Sequence, residues 1–144
     1  MSYKFEYSIN CPVNKDFAWR FWTDVANWAK VDPAVESVEM EGPFASGTSG
    51  VTHIRGAAPA AWKLIDVKDG ESANIEITAP GAAIHFHWVF KESAAGNALL
   101  TQQVSLDGER AADYLEGIKQ LEQNVPDGMK RLVDAIVKAA GTVA

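Results

Sequence analysis

The chain has 144 residues, of which 47% are hydrophobic and 22% are charged, and its formal net charge at pH 7 is -6. This length and composition are typical of one globular domain with a single hydrophobic core, so we expect one domain over residues 1–144. The negative charge argues against a nucleic acid or an anionic membrane as the main partner, because both attract basic surfaces.

The sequence also indicates a compartment. Cys11 is the single cysteine, which excludes an internal disulfide and fits a reducing environment. No apolar run is long enough to span a membrane, and the first residues lack the apolar centre of a secretion signal. We therefore expect a cytoplasmic protein without stable membrane insertion.

The beginning of the chain predicts one strand and two short helices. Residues 3–9 alternate between apolar and polar, which is typical of a half-buried strand. Pro12 ends this strand, and Asn14 is placed to cap a helix whose apolar residues recur at helical spacing. Asp24 can cap a second short helix that extends to about Lys30.

Six further strand signals follow the short helices, separated by turn residues. The predicted strands are Val35–Glu41, Val51–Arg55, Ala60–Val67, Ala73–Ala79, Ala83–Glu92 and Ala98–Leu106. Glycine, proline and asparagine occur in the connections between them. Because parallel neighbours need long crossovers, these short connections predict antiparallel pairing.

The last part of the chain predicts one long amphipathic helix, from about Glu109 to Ala140. Apolar residues recur there at spacings of three and four, which keeps one helix face apolar for about eight turns. Pro126 lies near the middle, where it lacks an N–H and clashes with the preceding turn, so we expect a kink or a break. The apolar stripe keeps its phase across the proline, which favours the kink.

Together these elements predict an α+β fold. One strand, two short helices, six strands and a long helix can form a curved antiparallel seven-stranded sheet wrapped around the C-terminal helix. The sheet would be apolar on the face toward the helix and polar on the other face. A hollow between the sheet and the helix is the expected place for function.

Several short stretches, taken in this order, are similar to a known superfamily. They are Cys11-Pro12-Val13, Trp22-Thr23-Asp24-Val25-Ala26-Asn27-Trp28, Val35-Glu36-Ser37-Val38, Gly42-Pro43, Gly47-Thr48-Ser49-Gly50, His87-Trp88-Val89-Phe90 and the closing amphipathic helix. Over nearly all of its length the chain resembles the helix-grip superfamily, the START-like or SRPBCC proteins that include polyketide cyclases and the birch-pollen-allergen group. The resemblance implies the helix-grip fold and a cavity for a hydrophobic ligand, although members use that cavity in many ways.

A set of large apolar side chains and a few polar ones is predicted to form this cavity. The predicted ligand-binding residues are Trp28, His53, Arg55, Trp62, Phe86, Trp88, Phe90, Gln102, Leu121, Val125 and Met129. The alternative is a solid core, because burial of a large ring contributes about 2–3 kcal/mol by itself. Trp28 and the loop from Gly42 to Gly50 are expected to border the entrance.

The polar residues of this set help to distinguish a cavity from a solid core. Gln102 shares a strand face with apolar neighbours, and an unpaired amide in a solid core would cost about 1–3 kcal/mol. A cavity filled by water or ligand would relieve that cost. His53 and Arg55 share another strand face, where they could bind a carboxylate or phenolate at the cavity mouth or could simply be exposed.

Metal binding and nucleophilic catalysis find little support. His85 and His87 point the same way on a strand, as zinc or iron ligands would, and His53 would complete a site only if its strand lay alongside. Cys11 has no histidine near it in sequence, so a small buried residue is its expected role. We therefore expect no metal and no cofactor, and we assign no catalytic residue.

The sequence thus predicts a binding protein for a small hydrophobic, lipid-like or aromatic polyketide-like molecule. The alternative is an enzyme of the polyketide cyclase/dehydrase type that acts on such a molecule in the same cavity. A third hypothesis is that the apolar surface serves a protein partner or a homodimer, which would require an exposed apolar patch.

Overall fold

A computed structural model of the protein describes residues 2–143, with side chains described as far as Gly141. The strands are β1 (Ser2–Cys11), β2 (Val35–Met40), β3 (Ser49–Ile54), β4 (Ala60–Lys68), β5 (Ser72–Ala79), β6 (Ala82–Glu92) and β7 (Ala98–Asp107). The α-helices are α1 (Lys15–Thr23), α2 (Trp28–Val31) and α3 (Leu115–Val143), with 3₁₀ turns at Val25–Asn27, Ala94–Gly96 and Ala111–Tyr114. The predicted α+β architecture is confirmed, and each strand end lies within two residues of its predicted position.

The seven strands form one curved antiparallel sheet in the order β1-β7-β6-β5-β4-β3-β2. Consecutive strands pair through short connections from β2 to β7, and β1 pairs with β7 at the far edge. Register shifts at Val35/Ser37 and Leu64/Asp66 interrupt the regular ladder. Such bulges bend and twist a strand, which helps the sheet to curve around the helix.

The alternation of apolar and polar residues gives the sheet one core face and one outer face. The cross-strand pairs on the core face of β6 and β7 are Ile84–Leu106, Phe86–Val104, Trp88–Gln102 and Phe90–Leu100. His85 and His87 lie on the outer face, as predicted from their position in the alternation. The core face therefore presents large rings and aliphatic side chains to α3.

The two short helices fill one end of the sheet. The Asn14 side chain accepts a hydrogen bond of 2.8 Å from the Phe17 backbone N–H, so Asn14 caps α1 as predicted. Trp19 and Trp22 on α1 are both 4% exposed, and α1 contacts β6 and β7. These two rings attach the helical segment to the core face of the sheet.

Helix α3 continues through Pro126, so the alternative of a break at the proline is wrong. An internal proline costs a helix roughly 3 kcal/mol. Val125, Met129 and Leu132 are buried around it, and burial of such side chains contributes about 1.5–3 kcal/mol each. Packing therefore outweighs the local cost. No helix in the described part of the chain is both long and apolar enough to cross a membrane.

Helix α3 is also joined to the sheet by a polar contact. The Tyr3 hydroxyl on β1 donates a hydrogen bond to the Glu122 carboxylate on α3. This hydrogen bond to a carboxylate stabilises the protonated phenol and raises the pKa of Tyr3 above its usual value of 10.0, with smaller contributions from burial and from the Glu122 charge. The contact joins the edge strand β1 to the N-terminal part of α3.

The raised pKa predicts a loss of stability at alkaline pH. The folded state holds the Tyr3 proton more tightly than the unfolded state, so the contribution is fully present below pH 10.0 and is lost as pH rises through the folded-state pKa. We expect the free energy of unfolding, measured in urea at pH 8 and again above pH 10, to fall more for the unmodified protein than for Tyr3→Phe. Tyr7→Phe, the same change further along β1, should keep the steep fall. Equal pH dependence in all three proteins would contradict this role.

Candidate functional site: the cavity between sheet and helix

A cavity of about 350 Å³ lies between the core face of the sheet and α3. Most of its surface is apolar. Its lining residues are Trp22, Trp28, Val31, Asp32, Val35, Thr52, Trp62, Ile75, Ile77, Phe86, Trp88, Gln102, Leu121, Asn124, Val125, Gly128, Met129, Arg131 and Leu132. The cavity extends from buried residues such as Ile75 and Gln102 to the exposed side chains of Asn124 and Arg131.

Eight of the eleven residues predicted to bind a ligand line this cavity, which places them together without testing their role. They are Trp28, Trp62, Phe86, Trp88, Gln102, Leu121, Val125 and Met129. Phe90 is not among the lining residues, because it is 2% exposed and packs against the rings of Trp19 and Trp22. It belongs to the solid part of the core.

His53 and Arg55 lie away from the cavity. In β3, Thr52 faces the cavity, so its neighbour His53 faces outward, where its Nε2 atom lies 2.9 Å from Oε2 of Glu39. Arg55 follows the end of the strand, is exposed, and donates from Nε to the Pro33 carbonyl at 3.3 Å. Neither residue is among those that line the cavity, so the structure does not bring them to its mouth.

The histidines of β6 do not gather into a metal site. His85 lies 2.9 Å from the Glu76 carboxylate on β5. His53 is on β3, and strands β4 and β5 separate it from β6. Within residues 2–143 no group of three or more histidine, cysteine or acidic side chains is arranged to hold a metal ion.

Tryptophan side chains form one wall of the cavity, and this wall has few unpaired polar atoms. The ring centroids of Trp28 and Trp62 are 5.4 Å apart, and those of Trp22 and Trp88 are 5.0 Å apart. The Trp28 indole N–H donates to the Trp22 carbonyl at 2.8 Å. The Trp62 indole N–H donates to Oγ1 of Thr52 at 3.0 Å. Because both donors are already paired, these rings offer mainly their apolar faces to a ligand.

Gln102 is the polar exception in the buried part of the lining. It is 8% exposed, lies between Trp88 and Tyr7 in the sheet register, and makes no side-chain hydrogen bond to any residue that the structure describes. An unpaired amide in a solid core would cost about 1–3 kcal/mol. The cavity leaves space next to this amide.

The mouth of the cavity is formed by α3 and the segment after α2, not by the loop from Gly42 to Gly50. That loop supplies no lining residue, and its Phe44 ring packs against Trp19 and Trp22 instead. Asn124 and Arg131 are exposed, and Asp32 is half-buried, with its carboxylate accepting a hydrogen bond from the Ala34 N–H. The charged groups of the lining thus lie toward solvent.

The sequence matches one protein family over nearly its whole length. The family model described as "Polyketide cyclase / dehydrase and lipid transport" matches residues 2–139. The chain belongs to this family. No curated protein matches the sequence.

Solved structures similar to this family member share its fold at low identity. An aromatase/cyclase from Streptomyces has a TM-score of 0.76 at 15% identity, with 96% of that chain and 97% of this one covered. Norcoclaurine synthase from Thalictrum flavum has a TM-score of 0.74 at 12% identity, with 94% and 97% covered. Ara h 8.0201 has a TM-score of 0.73 at 16% identity, with 99% and 96% covered. At such identities the likeness shows the fold alone.

Sequence reasoning missed several lining residues in this member of the family. Ile75 and Ile77 alternate with polar residues along β5, and that signal could have placed them on the core face. Gly128 follows Val125 at helical spacing on the apolar side of α3, so it could also have been found. Asp32 and Arg131 carried no such signal, because exposed charged residues occur throughout the surface.

Cys11 is a fully buried thiol in this family member. The side chain is 0% exposed at the end of β1, and burial raises the pKa of the Cys11 thiol, a shift partly opposed by a hydrogen bond with the Val13 backbone. A thiol kept protonated and inaccessible cannot attack a substrate. The predicted role as a small buried residue fits this placement.

Gly50 leaves the space that the Trp62 ring occupies in the cavity wall. A Cβ atom at Gly50 would lie 2.3 Å from Cζ2 of Trp62, so Gly50→Ala must displace the indole. We expect a loss of about 1–3 kcal/mol in the free energy of unfolding in urea, as for other overpacked cores. In a Trp62→Phe background the same change should cost less, because the clashing ring atoms are gone. Strictly additive costs would show that the two residues do not compete for this space.

Proposed function

We propose that this protein binds a small hydrophobic molecule, ring-containing or lipid-like, in the cavity between the sheet and α3. The observation that carries the proposal is the apolar cavity of about 350 Å³, with the unpaired amide of the largely buried residue Gln102 in its wall. Sites for small molecules are typically apolar hollows of about 300–1,000 Å³ with a few placed polar groups. The family description, which includes lipid transport, supports the same proposal.

The alternative is an enzyme of the cyclase or dehydrase type that uses the same cavity. The family description and the names of similar structures include such enzymes. General acid–base catalysis needs a titratable group within hydrogen-bond reach of the reacting atom. Among the described lining residues the charged groups are Asp32 and Arg131, both toward the mouth, and the buried end offers the neutral amide of Gln102. This distribution favours binding over catalysis.

A molecule bound during expression would identify the ligand class. We expect native mass spectrometry of the purified protein to show a mass above that of the chain, and the excess to disappear after denaturation and refolding. Four of the five tryptophans line the cavity, so refilling it should change the intrinsic fluorescence. Binding of a hydrophobic molecule with no change in tryptophan emission would place the binding site elsewhere.

Filling the cavity from α3 should weaken binding without destabilising the fold. A Cβ atom at Gly128, which lines the cavity, would have only Nη2 of Arg131 within 4 Å, at 3.8 Å. We expect Gly128→Leu to weaken binding of naphthalene at least about tenfold, because the new side chain takes up ligand space. Equilibrium dialysis with detection of naphthalene fluorescence measures this affinity.

Gly117→Leu is the matched control for the cavity-filling variant. Gly117 lies on the same helix, is exposed, and a Cβ atom there would meet nothing within 4 Å. Both variants replace a helix glycine by a better helix former, so neither should lower the free energy of unfolding. Unchanged naphthalene affinity in Gly128→Leu would show that the ligand lies outside the cavity, and no binding to the unmodified protein would count against the proposed function.

A further inference from the structure

We propose that Gln102 is the residue that selects the ligand, and that the ligand is an uncharged, ring-containing molecule with a hydroxyl or carbonyl group at its buried end. This inference rests on the proposed function, because it concerns the same cavity. It goes further by naming the chemical class that the buried end of the cavity accepts.

The Gln102 amide has no hydrogen-bond partner among the described residues of the fold. Strand β7 lies between β1 and β6, and Gln102 is 92% buried there as one of the cavity-lining residues. Its immediate neighbours in β7 on the same face, Leu100 and Val104, are fully buried apolar residues. The amide makes no hydrogen bond to the described residues, so its donor and acceptor are available to a molecule inside the cavity.

The other polar groups of the lining are either paired or exposed. Thr52 lies four strands away from Gln102 and already accepts a hydrogen bond from the Trp62 indole. Asn124 and Arg131 are exposed on α3. Among the lining residues that the structure describes, Gln102 is therefore the one polar side chain that is both buried and unpaired.

The charge of the surroundings sets the charge of the ligand. A buried ion needs an opposite charge or several strong hydrogen bonds to replace its hydration, and a single neutral amide cannot supply them. The charged lining residues, Asp32 and Arg131, lie toward solvent. A carboxylate or ammonium group of a ligand is thus excluded from the buried end, whereas a hydroxyl or carbonyl can pair with the amide at no such cost.

The neighbours of Gln102 favour a ring next to the polar group. Trp88 is its cross-strand partner on β6, and Phe86 lies two residues before Trp88 on the same face. Aromatic surfaces of this kind stack against flat molecules in offset or edge-to-face contacts. A phenol or a cyclic ketone places its ring against these side chains while its oxygen reaches the amide.

The test compares two probes of nearly the same size, 2-naphthol and 2-methylnaphthalene, in equilibrium dialysis. The measured quantity is the ratio of the Kd of 2-naphthol to the Kd of 2-methylnaphthalene. Gln102→Leu should raise this ratio about tenfold, because it removes one hydrogen bond to the hydroxyl and keeps the apolar contacts. Gln103→Leu is the matched control, since Gln103 lies on the outer face and its amide donates to Glu6 at 3.4 Å. This control should leave the ratio unchanged.

Each outcome of the comparison decides a separate point. Urea unfolding should show that Gln102→Leu is at least as stable as the unmodified protein, because the lost amide has no partner in the fold. A ratio that is the same in both proteins, with both probes bound, would overturn the selection by Gln102 and leave the proposed function standing. Failure of the unmodified protein to bind either probe would count against the proposed function itself.

Discussion

The cavity depends on a cluster of aromatic side chains that joins the two short helices to the core face of the sheet. Helices α1 and α2 also contact α3. The centroids of Trp22 lie 5.0 Å from Trp88 and 5.4 Å from Phe90, and Trp28 continues the contact to Trp62. Each such pair contributes about 0.5–1.5 kcal/mol beyond its buried area. The four tryptophans of this cluster therefore stabilise the fold and also line the cavity.

The strong local patterns made most of the fold predictable. Strict alternation along β6 and β7 and the long apolar stripe of α3 each specify one face, and tertiary packing follows those faces. The effect of Pro126 was harder to predict, because its local cost competes with the burial of residues on both sides. The sequence shows that Pro126 destabilises a helix locally. How much stabilisation the buried neighbours contribute can be seen only in the folded core.

The lining of the cavity was predictable where it follows the same periodicities. Trp62, Trp88 and Gln102 occupy core-face positions of their strands, and Val125 and Met129 lie on the apolar stripe of α3. The sequence left open whether His53 and Arg55 lie at the cavity mouth or on an exposed face, because the pattern of a short strand does not tell which face is the inner one. The mouth residues depend on how α2 and α3 approach, and no local pattern encodes that approach.

Pro126 leaves a gap in the hydrogen-bond ladder of α3 next to the cavity. A proline has no amide hydrogen, so the Glu122 carbonyl one turn earlier lacks its usual helical donor. The gap lies between Leu121 and Gly128, which both line the cavity. The side chain of the same Glu122 accepts the hydrogen bond from the Tyr3 hydroxyl. The residue whose backbone loses a bond within the helix is therefore the one whose carboxylate joins the helix to β1.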